Sequence, residues 1–260
     1  MPLARCGSVE ETAKLEQEGS CTVPMKRELE ICVETLQACQ AAVEGGADRI
    51  ELCAALSEGG VTPGAGFLRE ALASIALPIH VLIRPRSGDF LYSDAEFRMI
   101  CTDIDAAIDA GAAGIVVGML TAERQVNRVQ MSEVMQRAAG KSVTFHRAFD
   151  QANDLATSLE VLIDLGCNRI LTSGGKPTVT EGRNALARLV EQAGGRIRIA
   201  AGGGVTLQTA PQLAPIAGLD LHASLRPKAA PVVGDVLWQP PTGKISVEDV
   251  RTLSHIVHTV

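Results

Sequence analysis

A chain of 260 residues that is 46% hydrophobic and 21% charged has the make-up of a globular protein, which excludes a disordered polymer, a collagen and a disulfide-stapled miniprotein. Its 24 Lys and Arg against 30 Asp and Glu give a net charge of −6, which speaks against nucleic acid as the main partner, because neutralising phosphates needs clustered positive charge. Aromatic residues are only 3%, too few for base-stacking platforms, and no run approaches the ~18 apolar residues of a membrane span.

Residues 1–24 hold four Glu and no apolar period, so they are expected to be a disordered extension or the product of a start codon placed too early. From Leu29 onward, short apolar runs alternate with helical patterns. Strands are predicted at Leu29–Val33, Arg49–Cys53, Ile79–Arg84 and Ala113–Gly118, with helices at Thr35–Glu44, Gly66–Ile75, Ser93–Ala110 and Arg128–Ala139. Ser93 is a candidate N-cap. The second half repeats the plan. Strands at Ser142–Arg147, Arg169–Thr172, Ile197–Ala201 and Leu219–Ala223 alternate with helices at Leu155–Leu165, Thr180–Ala193 and Thr206–Ala214.

Several units echo one phrase, a helix stop, a small residue and a strand: GGADRIEL, GAAGIVVG, GCNRILTS and AGLDLHAS. Eight strand–helix alternations predict an α/β fold, a (β/α)8 TIM-type barrel in a single domain over residues 25–226. Prolines 227, 231, 240 and 241 make Leu225–Gly243 a loop, and Ser246–Val257 reads as a last helix. Residues 227–260 are thus expected to be a loop and helix packed on the barrel.

In a closed barrel, alternate side chains of each strand point inward, and the mouth at the strands' C-terminal ends carries the chemistry. The parity that holds the polar residues puts Glu30, Cys32 and Glu34 inside, followed by Glu51 and Cys53, then His80 and Arg84. It adds Thr144 and His146, Ser173, and Asp220 and His222. Unpaired buried charge is expensive, so Glu30, Glu51 and Arg84 form either a satisfied polar core or a site for a polar ligand. The seven Cys include no Cys-x-x-Cys, which favours a reducing cytosol with most thiols acting as small buried hydrophobes. Cys32 and Cys53 share a parity on neighbouring strands. They are either structural or within reach of one soft metal ion such as Cu(I).

Arg84 and Arg86, in IRPRSGD, could clamp an anion or hold a surface loop by internal ion pairs. His146 is a candidate general base or ligand with Asp150 orienting it, against the alternative of a satisfied core histidine. Gly202, Gly203 and Gly204 end the seventh strand, where barrels often cradle a phosphate on backbone amides, with Ser173 and Ser224 nearby.

The phrases LEICVET, GGADRIELCAAL, IRPRSGDFLYSDAEF, VTFHRAFD, RILTSGG, AGGGV and LHASLR, in this order from Leu29 to Arg226, resemble the CutC copper homeostasis proteins. The resemblance implies a cytosolic TIM-type barrel tied to copper handling, with Cys32 and Cys53 as the Cu(I) ligands. Two functions follow. The first is a cytoplasmic copper homeostasis protein binding Cu(I) through paired thiolates at the barrel mouth. The second is a barrel enzyme (lyase, isomerase or hydrolase) for a small anionic or phosphorylated metabolite. There Glu30, Glu51, His146 and Asp150 are the catalytic candidates, and Arg84, Arg86, Ser173, Gly202, Gly203, Gly204 and Ser224 hold the anion. A scaffold without chemistry leaves the polar interior unexplained. The partners expected are a copper ion or small anion and a second copy of the chain in a homo-oligomer, with no nucleic acid and no membrane.

A chain starting at Met25 is expected to melt within a few degrees of the full chain. A large loss of thermal stability would show that residues 1–24 pack on the barrel.

Overall fold

The computed structural model describes residues 26–226 and 244–259. The expectations for residues 1–24 and for the loop from 227 to 243, like Cys6 and Cys21, lie outside the described residues.

Eight parallel strands close in chain order into one barrel. They are β1 (Leu29–Val33), β2 (Arg49–Leu52), β3 (Ile79–Leu82), β4 (Gly114–Val117), β5 (Ser142–Phe145), β6 (Arg169–Thr172), β7 (Arg198–Ala201) and β8 (Leu219–Ala223). The helices between them are α1 (Leu36–Glu44), α2 (Ala65–Ser74), α3 (Asp94–Asp109), α4 (Arg128–Arg137), α5 (Leu155–Asp164), α6 (Val179–Ala193) and α7 (Ala210–Leu213). The last, α8 (Val247–His258), packs against α1, α7 and β1 and completes the ring. Among the described residues no helix is long and apolar enough to cross a membrane.

Local chemistry explains most boundaries. Ser93 caps α3 in a full capping box with Glu96. Thr35 and Ser246 cap α1 and α8 by accepting from the amides of Ala38 and Asp249. The clearest departure from the sequence reading is at Thr206–Ala214, where only Ala210–Leu213 is helical. The Thr206 and Thr209 hydroxyls bond neighbouring backbone groups there and hold Thr206–Thr209 in a turn.

The two faces of each strand enter different cores. One parity (Leu29, Ile31 and Val33 in β1, Ile50 and Leu52 in β2, Ile79 and Val81 in β3) packs under the helices in the main apolar layer. The other parity enters the lumen. The register pairs Glu30 with Arg49, Cys32 with Glu51, and Glu51 with His80 across β1, β2 and β3. On the far side Glu30 pairs with His222 across β1 and β8. A second, smaller apolar cluster of Cys32, Cys53, Leu82 and Val116 lies on one wall of the lumen. Bare positions make room for rings: a Cβ on Gly114 would overlap His80, and one on Gly118 would overlap His146.

The strands' N-terminal ends are closed by charge. Arg169 meets Asp220 at 2.6 Å and Glu28 at 3.2 Å, and Arg198 meets Asp220 at 2.6 Å. Arg49 meets Glu30 at 2.5 Å. Removing one partner of such a lattice leaves an uncompensated buried ion. Arg169→Met is therefore expected to lower the unfolding free energy by about 3–5 kcal/mol in urea denaturation. A loss under about 1 kcal/mol would show that Arg198 alone neutralises Asp220.

Candidate functional site

Glu30 is the hub of the lumen. One carboxylate oxygen takes Arg49 at 2.5 Å and the other takes His222 Nδ1 at 2.7 Å. Burial opposes its ionisation, but Arg49, the His222 hydrogen bond and Arg169 outweigh burial and hold it well below the usual carboxylate range. His222 then points its other nitrogen at the second inward acid, with Nε2 3.7 Å from Glu51. Burial works against the imidazolium, yet Glu51 and Glu30 win and raise its pKa. Among the described residues no arginine pairs with Glu51, and burial raises its pKa.

The thiols lie against this array. Cys32 Sγ is 3.3 Å from Cys53 Sγ, and Cys53 Sγ donates to Val33 O at 3.3 Å. Ligand atoms of Cys32, Glu51 and His222 all lie within 4.8 Å of one another. The hydrogen bond with Cys53, then burial and the Glu51 charge, push the Cys32 thiol well above its ordinary pKa. It is a buried thiol, which a metal must deprotonate, and not a free nucleophile. Cys32, Glu51 and His222, one thiol, one carboxylate and one imidazole, make a donor set that could hold a metal ion, and Cys53 adjoins it through Cys32 without belonging to it. The five described cysteines are free, and Cys39, Cys101 and Cys167 are buried. Cys39 and Cys101 sit in α1 and α3, and Cys167 follows α5.

The other sequence candidates fall into separate groups. Arg84 is buried, and its guanidinium donates to the carbonyls of Glu58, Gly60 and Gly88, which ties two mouth loops together. Arg86 is engaged by Glu96 and Asp89 and lies over the Tyr92 ring. His146 is not oriented by Asp150. Its Nδ1 accepts from the Ala148 amide at 3.1 Å, which assigns the proton to Nε2, and its ring lies 4.9 Å from Phe90. Asp150 instead accepts from Thr172 Oγ1, the Ser173 amide and hydroxyl, the Gly175 amide and Arg147. Ser173 joins that group, Gly202–Gly204 lies beside Arg147, and Ser224 is half-buried after β8.

Sequence reasoning placed His222 and Asp220 inside the barrel but gave them no role in the site. The signal was their alternation in LDLHAS. Arg49, Arg147 and Arg169 were not singled out at all, because an arginine at a strand end reads as a solvated charge until the closed barrel puts it opposite an acid.

The CutC family model matches residues 27–226. A family protein CutC from Pasteurella multocida is 46% identical over 197 residues, which cover 75% of this chain and 81% of that protein. Its counterpart in Agrobacterium fabrum is 48% identical over 199 residues, with 75% and 78% covered. The crystal structure of the putative copper homeostasis protein CutC from Streptococcus agalactiae matches at a TM-score of 0.72 and 32% identity, covering 76% of this chain and 98% of that one. A 3-hexulose-6-phosphate synthase from Salmonella typhimurium, at 16% identity and a TM-score of 0.56, shares the fold alone.

The buried imidazoles give a pH signature. Burial, with Arg49 beside His80 and Arg84 beside His146, lowers both pKa values to about 3. Each folded pKa lies below that of the unfolded chain, near 6.5. The unfolded state therefore takes up protons first on acidification, and stability present above about pH 6.5 is lost toward pH 3. His222 has the opposite sign: its contribution is full below about pH 6.5 and fades as pH rises through its raised folded value. Between pH 6 and 5 the unfolding free energy should fall with a slope approaching about 1.4 kcal/mol per pH unit for each buried neutral histidine. Urea denaturation of wild type and His146→Gln measures it. Equal slopes for the two proteins would contradict a neutral His146.

Proposed function

The chain belongs to the CutC family, and on that footing we propose that it is a cytosolic copper homeostasis protein that binds Cu(I) through Cys32 and Cys53. The observation that carries this reading is the sulfur pair 3.3 Å apart in the lumen, in an apolar cluster with Leu82 and Val116. Thiolates select soft ions, and the apolar neighbours Leu82 and Val116 offer no oxygen ligands to a hard cation. His222 Nε2 is a further donor, aimed by Glu30, in the way a carboxylate commonly orients a metal-binding imidazole. Glu51 supplies charge but is a poor partner for a soft ion. The free thiols suit a reducing compartment.

A second reading is favoured by the line Glu30–His222–Glu51. An imidazole held by one carboxylate and facing another with a raised pKa is an acid–base pair of the kind enzymes use. It suits a barrel enzyme acting on a small anionic metabolite.

Competition against a Cu(I) chelator under reducing conditions separates the two. Cys32→Ser, Cys53→Ser and the double variant should each lose at least about a hundredfold in affinity, with the singles nearly as weak as the double, because one remaining thiol no longer chelates. Cys39→Ser and Cys101→Ser should bind as wild type. A double variant that binds copper as tightly as wild type would remove the copper reading and leave the acid–base one.

A further inference from the structure

The loop that ends β7 takes no part in the sulfur pair or in the acid–base line. The Gly202 amide donates to Thr172 O at 3.0 Å and ties the loop to β6. Gly203 and Gly204 follow at φ +104° and +87°, two successive positive angles that only glycine adopts cheaply. Their carbonyls are already engaged. Gly203 O accepts from the Val179 amide at 2.9 Å, and Gly204 O from Thr209 Oγ1 at 2.9 Å. The next amide down the chain, Thr206, donates to Thr209 Oγ1 at 2.9 Å. Between these fixed points, the amides of Gly203, Gly204 and Val205 donate to nothing among the described residues, although Val205 is buried. Gly203 is half-buried and Gly204 exposed, so these amides are open to a ligand, and a run of free amides at a sharp glycine turn is the kind of concavity that binds anions.

A cation already lies against this loop. Arg147, next to His146 after β5, lays its guanidinium on the bare face of Gly203. A Cβ there would stand 2.8 Å from Arg147 Cζ and Nη1. Nε of Arg147 pairs with Asp150 at 2.8 Å and Nη2 donates to Ser173 Oγ at 2.8 Å, so Nη1 is the edge left to the loop. Asp150 does not compete for that edge. Its carboxylate is saturated by Thr172, Ser173, Gly175 and Arg147, an internal anion seated on the loop after β6. The loop after β7 offers amides of the same kind and holds no carboxylate of its own.

We propose that the amides of Gly203, Gly204 and Val205, with Nη1 of Arg147, form a binding subsite for the phosphoryl group of a small phosphorylated ligand. The subsite adjoins the lumen cluster: a Cβ on Gly202 would lie 3.3 Å from His222 Cδ2. A ligand anchored by its phosphate on this loop therefore extends toward Cys32, Glu51 and His222. The proposal stands apart from the copper reading, and either can fail alone.

The test is titration of the metal-free full chain with inorganic phosphate and, separately, with glycerol 3-phosphate, followed by calorimetry and by amide NMR. Binding should be saturable, and the largest amide shifts should fall on Gly203, Gly204 and Val205. Arg147→Gln and Gly203→Ala should each weaken binding at least about tenfold, the worth of a charge-assisted hydrogen bond. Arg128→Gln, at an exposed arginine of α4, should leave the affinity unchanged. Circular dichroism and melting establish that each variant is folded, and the wild-type amide shifts need no variant. Tighter binding of the ester assigns a phosphate monoester, and equal binding assigns free phosphate. Cys32→Ser/Cys53→Ser should keep full phosphate affinity, which separates this subsite from the sulfur pair. Absence of saturable binding to wild type, shifts that avoid the loop, or affinity that survives both loop substitutions in folded protein would overturn the proposal.

Discussion

The lumen is organised by one buried carboxylate. Glu30 is 1% exposed and is shared between Arg49 at 2.5 Å and His222 at 2.7 Å. A buried charge of this kind survives only if fully paired, so the barrel needs its cations in place. Arg49 also lies near Glu28, and Arg169 bridges Glu28 and Asp220, so the pairing spreads across the strands' N-terminal ends. In this way β1, β2, β6, β7 and β8 are locked together by charge as well as by their backbone ladders. The same pairing sets the tautomer and direction of His222, which turns a structural lattice into the floor of a site.

Above that floor the lumen changes character. Cys32, Cys53, Leu82 and Val116 form an apolar patch on one wall, with Glu51 and His222 beside it. Electrostatic interactions strengthen in such surroundings, because little water screens them. Among the described residues no arginine pairs with Glu51, whose nearest charged partner is His222 at 3.7 Å. The mouth then divides into two sides. Arg84 and Arg86 brace the loops after β2 and β3, while Arg147 and the glycines after β7 make the side with donors to spare. The soft-metal and phosphoryl proposals therefore concern neighbouring groups, since a Cβ on Gly202 would lie 3.3 Å from His222 Cδ2.

The sequence by itself determined the architecture. Alternation of period two in LEICV and LDLHAS, helix stops at glycine and eight repeats leave a closed barrel as the economical solution, and each strand found lies within a residue or two of the expected one. Parity along each strand also determined which side chains face inward, because a pleated strand allows only two faces. Only the tertiary structure decided partnerships. His146 and Asp150, four residues apart, could by sequence pair or leave His146 as a core histidine, and the turn of Arg147–Gln151 decides it by aiming Asp150 at the loop after β6 and leaving His146 beside Phe90. Glu30 and His222 are 192 residues apart and meet because barrel closure makes the first and last strands neighbours. Arg147 reaches Gly203 by the same means, across the mouth between loops that the chain keeps far apart. Strand periodicity is a local property and can be read along the chain, whereas register and closure are set by packing between strands, which no local pattern encodes.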